Sequence, residues 1–106
     1  MKVLLVSNQR INKEVDVEFP VYYKFVDYSD DGYWSETYVM VFEDGTRMTV
    51  MSNSDSEISC TKEKINLSTD LPEELFGTDH SFFKRLSRED FLQQYNKFIK
   101  EVTLNN

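Results

Sequence analysis

The sequence predicts an α+β fold: an antiparallel meander sheet of about four strands packed against one C-terminal helix. Three observations carry this. Residues 14–25 alternate apolar and polar side chains with a period of two. An Asp-Gly pair, Asp44-Gly45, separates two further strand-like runs. The last twenty residues hold an apolar stripe at helical spacing behind a serine cap. Strands first and a helix last argue for α+β over a βαβ arrangement. The chain has 106 residues, 40 % hydrophobic and 29 % charged, which fits one globular domain spanning 1–106. A domain of that size buries roughly two-thirds of its unfolded surface, enough for one ordinary core.

The elements follow in order. Lys2–Val6 reads as a short strand. Its apolar run ends at Ser7-Asn8-Gln9-Arg10, too short for a secretory signal. In residues 14–25, Val15, Val17, Phe19, Val21, Tyr23 and Phe25 share one face, and Glu14, Asp16, Glu18, Pro20, Tyr22 and Lys24 the other. Pro20 lacks a backbone donor, so the strand is expected at a sheet edge or interrupted there. Acids on that outer face would also discourage pairing with another chain. Asp27 to Gly32 is a polar turn, and Tyr33–Phe42 is the next strand.

After Asp44-Gly45 the chain returns along Arg47–Ser52. Two registers compete for this hairpin. A two-residue loop pairs Val41 with Met48. A three-residue loop, with Gly45 as a left-handed bulge, pairs Met40 with Met48 and Tyr38 with Val50. Only the second gathers Trp34, Tyr38, Met40, Phe42, Met48 and Val50 on one face, and a one-residue slip would reverse every side chain. The bulged loop is therefore expected. Glu57–Lys64 is a weaker fourth strand in which Ile58 and Cys60 share a phase, which predicts a half-buried thiol. Residues 66–81 read as loop with a short helical turn around Pro72–Phe76.

The C-terminal helix is predicted over 88–102. Ser87 is its cap, with Asp90 three residues on, and Leu86 and Phe91 occupy hydrophobic-staple positions. Phe91, Leu92, Tyr95, Phe98, Ile99 and Val102 form the stripe. The expected core is Val17, Phe19, Val21, Tyr38, Met40, Phe42, Met48, Val50, Phe91, Leu92, Tyr95, Phe98 and Ile99.

Composition also bounds function. The net charge is −7. It is concentrated: residues 14–44 carry −8 and residues 55–79 carry −5, while 84–100 carry +3. Such a balance speaks against direct nucleic-acid binding. No apolar run approaches the ~20 residues of a membrane span, so no membrane partner is expected. The single cysteine cannot form an internal disulfide, and the cytoplasm is the expected compartment.

No catalytic constellation stands out, and no cofactor, metal or enzymatic activity is predicted. Asp27-x-Ser29-x-Asp31-Gly32 matches the first half of a calcium loop, but its twelfth position is Tyr38 where a bidentate Glu is needed. An acidic β-turn accounts for the same residues. His80, beside Asp79, is the only histidine, and Cys60 the only cysteine. A transition-metal site normally recruits more such ligands.

The aromatics are the stronger signal. Nine of the 24 residues from Phe19 to Phe42 are Phe, Tyr or Trp. A sheet core absorbs some of these. Tyr22, Tyr28, Tyr33 and Trp34, with Glu14, Asp16 and Glu18, form the candidate interaction surface, since exposed aromatics are enriched at protein interfaces. The leading expectation is a small acidic, non-enzymatic module that binds a protein partner or itself. The alternative is a sugar-like ligand, or weak catalysis, in a cleft between the sheet and the 66–81 loop, served by Trp34, Tyr33, His80 and Asp79.

Overall fold

The computed structural model describes residues 1–6, 12–77 and 82–104, the side chains of 12 and 101–104 excepted. The fold is α+β. Strands β1 (Lys2–Val6) and β2 (Asn12–Asp16) form a separate two-stranded sheet. Strands β3 (Val21–Tyr28), β4 (Trp34–Val41), β5 (Thr46–Asn53), β6 (Ile58–Lys64) and β7 (Phe83–Arg85) form the main sheet, in the order β6-β5-β4-β3-β7. Every pairing is antiparallel. Helix α1 (Leu67–Asp70) and a 3-10 turn at Glu73–Phe76 lead into β7, and helix α2 (Arg88–Leu104) ends the described chain.

The main sheet has one strand more than predicted, because β7 pairs along β3. Three residues of mixed charge and aromaticity give no period to read. The alternating run 14–25 is divided at Phe19-Pro20, whose peptide bond is cis. Its first part is β2, paired with β1, and its second part is β3, an interior strand between β4 and β7. The predicted N-terminal strand therefore exists but does not join the meander.

The β4–β5 hairpin takes the bulged register. Met40 faces Met48, and Tyr38 faces Val50. Gly45 supplies the left-handed residue at φ +88°. Its amide donates to Phe42 O at 3.0 Å, and Phe42 N–H donates to Thr46 O at 2.8 Å.

The sheet is covered on both faces, so the core is divided in two. On one face Tyr38 and Val50 pack with Phe91 and Phe98 of α2, flanked by Tyr22, Met40, Ile58, Leu86 and Tyr95. On the other, Val21, Tyr23, Val39, Val41 and Phe83 pack with Val3 and Val17 of the N-terminal segment and with Leu71 and Leu75. Nine of the thirteen expected core residues divide between these faces: Val17, Phe19 and Val21 belong to the second, and Tyr38, Met40, Val50, Phe91, Tyr95 and Phe98 to the first. Phe42 and Met48 were also expected in the core but are half-buried outside both clusters, lining a hollow beside Phe19-Pro20.

Helix α2 begins as its cap predicts. Ser87 Oγ accepts from the Asp90 amide at 3.1 Å, and Ser87 O accepts from Phe91 N–H at 3.0 Å. A side-chain cap satisfies one of the amides a helix start leaves orphaned. Phe91 and Phe98, seven residues apart, face the sheet, lying 5.2 Å from Tyr22 and 5.4 Å from Tyr38 between ring centroids. Leu92 and Ile99 were expected in the core but are exposed, at 37 % and 41 %. They sit about 80–100° around the helix from Phe91, on its flank, since each residue turns the helix by about 100°.

Two more expectations change. Residues 67–70 are helical rather than loop, capped by Asn66: its Oδ1 accepts from Ser68 N–H at 2.9 Å, and Asp70 Oδ2 accepts from the Asn66 amide at 2.9 Å. That reciprocal cap lies in a four-residue element, too short to show periodicity. Cys60 is exposed rather than half-buried. It stands on the outermost strand, of which only Ile58 packs against the α2 cluster.

Candidate functional site

The two hairpin turns lie at opposite ends of the sheet. At the Tyr28 end, the register sets Tyr28 of β3 opposite Trp34 of β4. Ser29 to Tyr33 close the turn. The Ser29 amide donates to Tyr33 O at 2.9 Å, and Gly32 N–H donates to Ser29 O at 3.2 Å. Asp31 Oδ1 accepts from the Tyr33 amide at 3.1 Å and from the Ser29 hydroxyl. These bonds, the Ser29 hydroxyl foremost, hold the Asp31 carboxyl below the ordinary carboxylate range, so it is ionised at neutral pH.

The β5–β6 turn comes to the same end. Trp34 N–H donates to Ser54 Oγ at 3.2 Å, and Trp34 O accepts from Ser54 N–H at 2.9 Å. Asn53 Oδ1 accepts from the amides of Asp55 and Glu57 at 3.0 and 3.1 Å. That side chain folds the turn and presents Asp55 and Glu57 beside the strand that carries Trp34. From the other side, Phe82 meets Tyr28 edge-on at 5.9 Å, held by a bond from Val26 N–H to Phe82 O at 2.9 Å.

Tyr28, Tyr33, Trp34 and Phe82 thus collect at one end of the sheet. They are exposed at 68, 38, 37 and 52 %. Asp27, Asp30 and Asp31 lie in or beside the Ser29–Tyr33 turn, and Asp55 and Glu57 in the neighbouring β5–β6 turn; segments 27–35 and 53–58 contain no lysine or arginine. Aromatic rings with an apolar body and a polar or wet rim are the side chains that dominate protein interfaces. The carboxylates give the two turns one sign of charge, while Lys84 and Arg85 follow Phe82 on β7.

The remaining predicted surface residues go elsewhere. Tyr22 is half-buried beneath Phe91 rather than exposed. Its even-numbered phase, taken from sequence as the outer face, is the face α2 covers. Glu14 pairs with Lys2 at 3.6 Å and Asp16 with the N-terminal amine at 3.3 Å, within the small sheet. Glu18 is exposed on the connection into β3, at the end opposite Tyr28. Strand rise puts these two ends of β3 roughly 23 Å apart. Phe82 was missed because no local signal links it to Tyr28; only the β3–β7 pairing joins them. His80 and Asp79 lie outside the described residues.

The half calcium motif forms a hairpin turn. Ser29 and Asp31 bond to each other and to Tyr33, which uses oxygens a cation would need. Among the described residues, no three His, Cys, Asp or Glu side chains cluster as metal ligands.

A cleft of about 390 Å³ does open between the sheet and residues 70–74. Tyr23, Phe25 and Phe83 line it with Asp27, Asp70 and Glu74, and Arg47 reaches it from β5. Burial pushes the Tyr23 phenol up to about 12, with Arg47 opposing and Glu74 adding to the shift. Trp34 and Tyr33 are not among the residues lining it. A larger hollow of about 590 Å³ lies at the other end of the sheet, between Phe19-Pro20 and the β4–β5 turn. No helix among the described residues is long and apolar enough to cross a membrane.

No family model matches this chain, and no curated protein or solved structure matches it.

Proposed function

We propose that the protein is a small non-catalytic interaction module whose Tyr28–Trp34 end docks a basic, partly apolar segment of a partner protein. One observation carries this reading: four exposed aromatics share one end of the sheet with five carboxylates and no basic residue in the turns that frame them. Exposed apolar area of this kind marks interaction surfaces. A single sign of charge around it selects partners of the opposite sign and speeds their encounter. Lysine and arginine side chains suit such a site twice over, because they pair with carboxylates and also stack on aromatic faces.

Trp34 is the only tryptophan, so its fluorescence reports on this end alone. Titration with a Lys/Arg-rich peptide containing a leucine or phenylalanine should shift Trp34 emission saturably. The response should fall with added salt, as charge steering is screened. The double variant Asp30→Lys, Asp55→Lys should abolish it while leaving the fold intact. No change in Trp34 emission with any basic peptide, at low salt and high peptide concentration, would overturn the reading.

A second reading places a small polar ligand, sugar-like in its hydroxyls, in the cleft between β3 and residues 70–74. Its support is the aromatic floor of Tyr23, Phe25 and Phe83 beside hydrogen-bonding Asp27, Asp70 and Glu74. A thermal-shift panel of sugars, nucleotides and divalent ions tests it, and Phe83→Ala should remove any response. A panel without a shift would eliminate it.

A further inference from the structure

The two edges of the main sheet differ. The β7 edge is three residues long, whereas β6 presents seven residues, Ile58–Lys64, without proline or glycine. Six of the seven are exposed and Ile58 is half-buried. The outward main-chain groups can be assigned. Ile65 N–H donates to Gly45 O at 2.9 Å, and Glu57 O accepts from Asn53 N–H at 3.2 Å, so odd-numbered positions bond toward β5. Alternation then turns the N–H and C=O of Ile58, Cys60, Lys62 and Lys64 away from the sheet. An edge of this length and regularity is a template for another strand.

Charged side chains on an edge usually guard against such pairing. Here two of the three are bound back to the β4–β5 hairpin. Lys64 Nζ lies 3.2 Å from Asp44 Oδ2 and donates to Asp44 O at 3.0 Å. Glu63 is paired with the Arg47 guanidinium, whose Nε donates to it at 3.0 Å. The edge carries a local charge of +1 in a molecule of −7, so it is nearly neutral where two copies would meet.

We infer that β6 pairs antiparallel with β6 of a second copy, with Thr61 on the two-fold axis. Directly opposed residues in an antiparallel pair share a face, so a two-fold that keeps both α2 helices on one side must fall on a residue. With Thr61 on the axis, Ile58 faces Lys64, Ser59 faces Glu63 and Cys60 faces Lys62, and no like charges oppose. With Lys62 or Glu63 on the axis, that charge faces its own copy. With Cys60 on the axis, Glu57 faces Glu63. Like charges directly opposite are destabilising. The product is one ten-stranded sheet across two protomers, with both Tyr28–Trp34 ends left open. This pairing is independent of the partner-docking reading.

The test is the mass of the full chain by sedimentation equilibrium as concentration rises. The expected result is a shift from 12.6 kDa toward twice that value. Thr61→Glu and Thr61→Lys should each weaken the dimer by roughly fivefold or more, since each sets like charges opposite at the axis. An equimolar mixture of the two should associate more tightly than either alone, which a folding defect would not produce. Lys62→Pro removes an outward N–H that β5 does not use, and should leave a folded monomer. In this register the two Cys60 Cα atoms are diagonal, roughly 8 Å apart, beyond the ~7 Å reach of a disulfide. A monomer at every concentration would overturn the proposal. So would self-association indifferent to Thr61→Glu, or a dimer readily locked by a Cys60–Cys60 disulfide.

Discussion

The two hairpin turns of β4 use the same chemistry to opposite ends. Each holds a glycine at φ +88°, Gly32 and Gly45. In each an aspartate accepts from the amide two residues on: Asp31 from Tyr33 at 3.1 Å, and Asp44 from Thr46 at 2.9 Å. Such an Asx arrangement folds a turn from local residues alone. The surroundings differ. Gly45 is buried and fastened, with its carbonyl accepting from Ile65 N–H, and a Cβ there would meet Ile65 O at 2.8 Å. Gly32 is exposed, and a Cβ there would meet nothing within 4 Å. A turn that folds by itself need not be packed. The Gly32 turn is left open, and its aromatic flanks are available for recognition.

The largest effect is expected at the fastened turn. Gly45→Ala adds a steric clash with backbone to a left-handed conformation that L-residues resist. It should cost about 2–4 kcal/mol in chemical denaturation. Gly32→Ala carries only the conformational term, about 1 kcal/mol. Equal losses at the two positions would erase the contrast.

Acid sharpens the same contrast. The Thr46 amide first, then the Thr46 hydroxyl and Lys64, hold the Asp44 carboxyl at about 2, below its ordinary 3.8. A depressed carboxylate pKa means that its stabilising contribution is complete above the unfolded value and lost as pH falls through the folded one. The protection of the Thr46 and Ile65 amides, measured relative to their intrinsic exchange rates, should therefore fall between about pH 4 and pH 2. Asp44→Asn should flatten that dependence. In alkali the sign reverses. Burial raises Tyr23 to about 12 from 10.0, so the unfolded chain releases its proton first. Stability should fall as pH rises from 10 toward 12, and Tyr23→Phe should lessen the fall. The smallest effect is at the open end, where Tyr28→Ser should change stability by less than about 0.5 kcal/mol while weakening peptide binding.

How much of this was legible in sequence follows from how local each signal is. The Ser87 cap, the Leu86–Phe91 staple and the Gly45 bulge are encoded within a few residues, and α2 and the β4–β5 register follow from them. The two-sided core was not legible. The alternation from Val15 to Phe25 suggests one apolar face, and Tyr22 reads as outer until α2 is placed over it. Tyr28, Tyr33 and Trp34 stand out by aromatic density. Phe82, 54 residues beyond Tyr28, joins them only through the short β7. Glu14, Asp16 and Glu18 share their composition but fall at the other end of β3, because the chain breaks direction at Phe19-Pro20.

The central claim is that the Tyr28–Trp34 end, and no other surface, receives a basic segment. Backbone amide shifts recorded during titration with a Lys/Arg-rich, leucine-containing peptide test it most directly. The account predicts saturable shifts confined to residues 27–35, 53–57 and Phe82, with the amides of 42–46 unmoved. Shifts centred on the Phe42–Thr46 turn or on the α2 flank of Leu92 and Ile99, with the Tyr28 end silent, would contradict it.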